Sequence, residues 1–286
     1  MADGAGDEAV ADRLGRAIRD RLADGSVTVP VLPAIAGAAL SLLNDPGADT
    51  GAIAAIIRND PALAGHVMKF ANSPLLRAGA PIVSLPQAIA RLGMRRIAEV
   101  ALAACLGPQL FKAPMHAALI ERIWNESLAT ALWAGEIARS LRSNVEVSFL
   151  CGLLHQIGRP VVLQALRELP GAQGVPPTRG ELDALLEAHG AAAGLVVARS
   201  WNLPEAVAET IAHVADFRAA ERSPERVALV AAARAFAIDT LAAGEPDTAS
   251  LAARPEMAEI NLYRADIEGL LAQADAVRAT LAEMKM

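Results

Sequence analysis

Five histidines, two cysteines and a cluster of arginines are the side chains with which this 286-residue chain could do chemistry. Thiols act as nucleophiles or metal ligands only as thiolates. Cys105 and Cys151 sit in apolar text, ALAACLGPQLF and FLCGLLHQIG, and neither belongs to a CxxC pair or to Cys/His zinc spacing. Two buried, reduced thiols are the expectation. No phosphate loop, GxSxG elbow, dinucleotide fingerprint or Cys/His nucleophile pair is present in the sequence. His66 lies on a helical stretch and His116 near a helix start, and both read as structural or solvated. Arg91, Arg95 and Arg96 flank a helix boundary at Gly93. They read either as solvated surface or as a contact for an anion or nucleotide phosphate. Trp124, Trp133 and Trp201 read as core anchors.

Helices must carry these side chains. The composition is 53% hydrophobic but only 3% aromatic, with a mean hydropathy of +0.33. That is enough apolar material for a sizeable core and excludes a disordered chain. Its bulk is Ala, Leu, Val and Ile, and Ala and Leu lose little or no rotamer freedom in a helix. Residues 8–23 place Val10, Leu14, Ile18 and Leu22 on one stripe. Pro30 and Pro33 force an extended stretch over 27–33. The next helix stops at Asn44-Asp45-Pro46-Gly47, and Thr50 is a candidate cap for 50–59. Asp60 caps, and Pro61 opens, a helix running to Asn72. Residues 73–84 form an irregular connector. Ser84 caps 85–92, Gly93 breaks the pattern, and 94–106 ends at Gly107-Pro108. A long helical pattern covers 115–141 and a strongly apolar one 145–156, closed by Ile157-Gly158 before a short further helix. Residues 178–188 and 191–201 read as separate helices, followed by 205–217 and 225–241. Residues 1–7 read as a tail, 170–179 as a linker, 244–256 as a loop and 260–286 as one or two terminal helices. There is no β alternation and no internal repeat. The expectation is an all-α fold of roughly a dozen helices, with a composition change near 112–114 dividing an N-terminal from a C-terminal bundle.

Charge narrows the partners. Lys and Arg total 26 against 32 Asp and Glu, a net charge of -6. A general nucleic-acid binder should carry a basic field, so no nucleic-acid partner is expected. The start, MADGAGDEAV, lacks the features of a secretory signal. The longest uncharged run, residues 26–44, is punctuated by Pro30 and Pro33, so no membrane span is expected and the protein reads as cytoplasmic.

An ordered series of short motifs goes further. Leu32-Pro33, Asp60-Pro61-Ala62-Leu63, Phe70-Ala71-Asn72-Ser73, Ser84-Leu85, Ala88-Ile89 and Leu92-Gly93 are ordinary punctuation when taken singly. They are followed by Trp124-Asn125-Glu126-Ser127-Leu128, by Gly152-Leu153-Leu154-His155-Gln156-Ile157-Gly158, and by Trp201-Asn202-Leu203-Pro204. As a set, over residues 25–240, the series resembles the HDOD family, a degenerate relative of the HD-domain metal phosphohydrolases. The resemblance implies an all-helical fold and a place in bacterial signalling. In the parent enzymes, His and Asp side chains on neighbouring helices hold one or two divalent cations. The metal makes a hydroxide that attacks a phosphoester, which requires several neutral imidazoles and carboxylates converging on one point.

Carried over position by position, that set is depleted. Glu126 stands where the family's motif usually has histidine. The HD doublet reads His155-Gln156, so the bridging negative charge is gone. Gly190 occupies a position that often carries histidine, with His189 one residue, about 100°, out of register. The family's His-His pair corresponds to Val214-Ala215, with His213 just before it. The late aspartate corresponds to Arg234, a fixed cation with no lone pair to offer. Glu126, His155 and His213 remain as candidate ligands, and no resident metal or cofactor is expected. Arg234 could instead fill the vacated position and pair with Glu126, because a buried arginine needs a partner.

The chain thus divides into an N-terminal tail and helix (1–24), the N-terminal helical part of the HDOD domain (25–113), its HD-like part (114–243) and a C-terminal helical extension (244–286). No receiver, kinase or cyclase-like segment is read beside them. A non-enzymatic output is expected, by association with a regulatory protein or with a nucleotide messenger. A cyclic dinucleotide would use Arg95 and Arg96 as phosphate clamps. The enzymatic alternative is a phosphohydrolase with a reduced site, one cation held by Glu126, His155 and Gln156. The terminal helices could pack on their own chain or pair with a second copy in a homodimer.

Overall fold

Small polar caps, prolines and glycines set most helix boundaries. The computed structural model describes residues 4–44, 50–76, 79–169, 177–242 and 244–284, and all regular structure among them is helical. In chain order the helices are α1 (Gly4–Ala23), α2 (Ala34–Asn44), α3 (Thr50–Asn59), α4 (Pro61–Ala71), α5 (Leu85–Leu92) and α6 (Met94–Cys105). There follow α7 (Ala117–Ser140), α8 (Val145–Leu154), α9 (Gly158–Glu168), α10 (Arg179–Ser200), α11 (Glu205–His213) and α12 (Pro224–Leu241). The chain closes with α13 (Thr248–Ala252), α14 (Pro255–Glu259), α15 (Arg264–Leu271) and α16 (Ala274–Met284). Short 3-10 turns lie at Pro108–Leu110, Pro114–His116 and Phe217–Ala219.

The motif residues do mechanical work. Asp60 accepts from the amides of Ala62 and Leu63, each at 3.0 Å, with Pro61 at the first helical position. The Asn72 carboxamide donates to the carbonyls of Met68 (3.0 Å) and Ile82 (2.8 Å) and accepts from the Ile82 amide at 2.7 Å. It therefore pins the irregular connector back onto α4. The Trp201 Nε1–H donates to the Pro30 carbonyl at 2.9 Å, tying the end of α10 to the extended stretch before α2. Gly93 takes φ +80 between α5 and α6, a backbone state that L side chains avoid.

One hydrophobic core runs from Ile18 to Leu281. In the N-terminal half, α2, α4 and α5 surround α6; in the C-terminal half, α7 packs on α8 and α12, and α9 on α10. Helix α1 lies on α10, α6 touches α8, and α16 lies on α4 and α7. Trp133 is fully buried, 5.0 Å from the Phe236 ring, with its indole N–H donating to Thr240 at 3.1 Å. The stretch Val145–Glu168 is long and apolar enough to cross a membrane, but 94% of its apolar 18-residue window is buried inside the protein and a turn breaks it at 155–157.

Several boundaries differ from expectation. Residues 179–200 form one helix, not two, and its Gly190 and Gly194 are packing positions: a Cβ on Gly158 would collide with the Gly190 carbonyl and the Gly194 amide. Helix α1 begins at Gly4, inside the expected tail. Thr50 is the first residue of α3 rather than its cap. Residues 244–256 hold two short helices, α13 capped by Asp247 and α14 opened by Pro255. The stop at Asp45-Pro46-Gly47 and most of the expected linker, 170–176, lie outside the described residues.

Candidate functional site

The turn joining α8 to α9 carries His155 and Gln156 into a cleft completed by α10, the end of α11 and α12. His155, Gln156 and Gly190 line it, together with Arg159, Glu187 and Arg234. Its free volume is about 60 Å³, room for a few water molecules.

Hydrogen-bond logic fixes the donors. His155 Nδ1 lies 2.7 Å from the Gly152 carbonyl, which can only accept, so Nδ1 carries the proton. Nε2 is then a bare lone pair, buried and without a partner among the described residues. Burial, reinforced by the nearby Arg234 cation, pushes the His155 pKa down to about 4, so the ring is neutral at ordinary pH. Gln156 donates to the Ile123 carbonyl at 3.0 Å and to Ser127 at 3.2 Å, which places its nitrogen there and leaves Oε1 as a second buried acceptor without a partner.

Two cations stand beside these acceptors. Arg234 Nε donates to Glu126 Oε1 at 2.9 Å, bridging α12 and α7. Arg159 Nη2 donates to Glu187 Oε2 at 2.8 Å. Burial, then Arg234, draws Arg159 below the usual guanidinium range. A divalent cation needs several converging oxygen or nitrogen lone pairs. This cleft offers one imidazole, one carboxamide oxygen and the Glu187 carboxylate, which Arg159 already engages, while the adjacent Glu126 carboxylate is engaged by Arg234. Among the described residues no three His, Cys, Asp or Glu side chains are grouped so as to hold a metal ion. The donor set does not fit the two-metal or one-metal arrangement of HD enzymes.

Other expectations need correction. His213 does not line the cleft; its neighbours Ala212, Val214 and Ala215 do. The His189 ring lies against Gly15 of α1, 3.3 Å from where a Cβ there would sit, one helical step away from the cleft. Arg91, Arg95 and Arg96 do not form one anion-binding face. Arg96 is buried, 2.6 Å from Glu99 and 4.9 Å from the Phe149 ring centroid, while Arg91 donates to the Ala80 carbonyl at 2.7 Å. Arg96 is neither solvated surface nor available to a phosphate. Its partner Glu99 is driven by burial up to about 7. Both thiols are raised by burial to about 11, so neither is a thiolate at neutral pH. Trp133 and Trp201 are core anchors, but Trp124 is half-buried at the wall of a separate cavity. Sequence reasoning missed Arg159 and Glu187. An arginine inside the apolar run directly after the His155 turn was the available signal.

Comparison with known proteins agrees with this fold. The HDOD domain signature matches residues 29–217, ending before α12 and so before Arg234. An uncharacterized protein of Treponema pallidum (strain Nichols) is 27% identical over 209 residues, which is 70% of this chain but 39% of that protein. This chain thus spans well under half the length of that relative. Among solved structures, a candidate metal-dependent phosphohydrolase of Shewanella amazonensis SB2B superposes with a TM-score of 0.75 at 23% identity, covering 96% of this chain and 99% of its own. An HDOD domain protein of Geobacter sulfurreducens gives 0.69 at 23%, with the same coverage. A candidate signal transduction protein of Marinobacter aquaeolei VT8 gives 0.65 at 21%, covering all of this chain and 68% of its own. At these identities the likeness is one of fold.

Proposed function

The chain belongs to the HDOD family, and from that premise we propose that it is a non-catalytic regulatory protein that works by association with a protein partner. The observation that carries this reading is the Arg234–Glu126 ion pair, in which the fixed cation that lines the HD-derived cleft is held by a carboxylate of α7. A guanidinium has no lone pair to give a metal and repels a dication. His155 is neutral but isolated, and Gln156 brings no charge. The free volume of the cleft is far below that of a cyclic dinucleotide, and the arginines first considered for such a ligand do not converge. These points favour a macromolecular partner over a nucleotide messenger at this site.

The test is elemental analysis of divalent metals in the purified, tag-free protein prepared without chelator, followed by an assay on a chromogenic phosphodiester with added manganese. The expected outcome is substoichiometric metal and no turnover. Near-stoichiometric manganese, iron, nickel or zinc, with hydrolysis lost in His155→Ala, would overturn the proposal in favour of a reduced phosphohydrolase.

A further inference from the structure

A second cavity, of about 320 Å³, lies where α4, α6 and α7 meet, with Met284 of α16 at its wall. Its size falls within the range of small-ligand sites. The floor is apolar, built on Phe70, Val100 and Leu128, and the wall carries Trp124 with the carboxamides of Gln109 and Asn125.

The polar groups here are open to solvent: Gln109 is exposed, and Trp124 and Asn125 are half-buried. Trp133 and Trp201 each give their indole N–H to a protein acceptor. Among the described residues Trp124 has no such acceptor, and the Gln109 and Asn125 carboxamides make no hydrogen bond. A carboxamide presents a donor and an acceptor side by side, the complement of a nucleobase edge. An indole offers a flat face on which a base can stack. The wall contains no lysine or arginine; its ionisable groups are Glu121 and His66. A phosphate would find no guanidinium or ammonium there and would face a carboxylate.

We infer that this cavity binds an uncharged nucleoside through Trp124, Gln109 and Asn125, and discriminates against the corresponding nucleotide. The volume suits one base with its sugar. The site is distinct from the HD-derived cleft, so the inference stands or falls independently of how that cleft is read.

Adenosine, guanosine and their 5′-monophosphates, each titrated into the full chain, test it by melting temperature and tryptophan fluorescence. At least one nucleoside should raise the melting temperature by about 3 °C at tenfold excess over its Kd. It should also bind more tightly than its monophosphate. Replacing both Asn125 and Gln109 by Ala should weaken binding about tenfold. Trp124→Phe, which keeps the aromatic volume, should fold and retain binding while abolishing the fluorescence response. No shift with either nucleoside, a monophosphate that binds as tightly as its nucleoside, or unchanged affinity in the double variant would each overturn the inference.

Discussion

Four charged or titratable residues set the chemistry of this molecule, and they yield measurable consequences. Arg234 and Glu126 are both partly buried, with side chains 28% and 20% exposed. Removing one leaves the other without its partner in a site of low polarity. Arg234→Met should therefore lower the melting temperature by several degrees, on the order of 1–3 kcal/mol; an unchanged value would show that the pair holds nothing together. His155 and Glu99 predict opposite pH dependences. The folded pKa of His155, about 4, is below its usual 6.5, so its contribution is present above pH 6.5 and is lost as pH falls toward 4. The folded pKa of Glu99, about 7, is above its usual 4.5, so its contribution is present below 4.5 and is lost as pH rises through 7. Melting temperature against pH checks both. The wild type should lose ground to His155→Asn on acidification from 6.5 to 4, and gain on Glu99→Gln on acidification from 7 to 4.5. At this scale motif spacing pointed to His155, Gln156, Gly190 and Arg234, which the structure brings to one cleft, and to Glu126, which it pairs with Arg234. It concealed Arg159 and Glu187, whose partnership joins helices 28 residues apart, and it gave no sign that Arg96 folds inward onto Phe149.

Helices in this chain meet closely where glycine allows it. A Cβ on Gly152 would lie 2.9 Å from Ala131 Cα, and one on Gly158 would overlap the backbone of α10. Gly65, midway along α4, has nothing within 4 Å of such a Cβ and an unstrained backbone. Gly158→Ala should therefore destabilise by about 2 kcal/mol or more, while Gly65→Ala should stabilise by about 0.5–1 kcal/mol. Chemical denaturation of the two variants separates a packing glycine from an incidental one. The same contrast explains which elements were legible. Caps such as Asp60-Pro61 and Ser84 announce helix starts locally. The continuity of α10 through Gly190 goes with its close packing on the preceding helix α9, a contact that no local pattern announces, and helices as short as α13 and α14 leave too few turns for a periodicity to register.

The whole molecule is held across its expected division by partly buried links. Gln164 of α9 accepts from the Lys112 amide at 3.1 Å and donates to the Thr28 carbonyl at 3.2 Å, and Glu168 of the same helix receives Arg21 of α1 at 2.9 Å. With one core running beneath both halves, thermal unfolding followed by circular dichroism and by tryptophan fluorescence should give coincident single transitions. Gln164→Leu should lower the shared midpoint by about 3 °C or more, since it leaves two backbone groups unmatched. Two separated transitions would mean that the halves are energetically independent. The all-α class was readable from composition and periodicity, but these long-range ties were not, because a glutamine inside a helix looks the same whether it faces water or another segment.

The Arg234–Glu126 bridge also limits how the sequence can drift. The two positions are 108 residues apart, yet a change at either strands the charge at the other. Among relatives that carry the pair, positions 126 and 234 should therefore change together rather than singly. A lineage that placed a carboxylate at 234 would set two negative charges against each other, a step tolerable only if a cation were captured at once. The arginine is thus a barrier that any stepwise route toward a cation site here would have to cross.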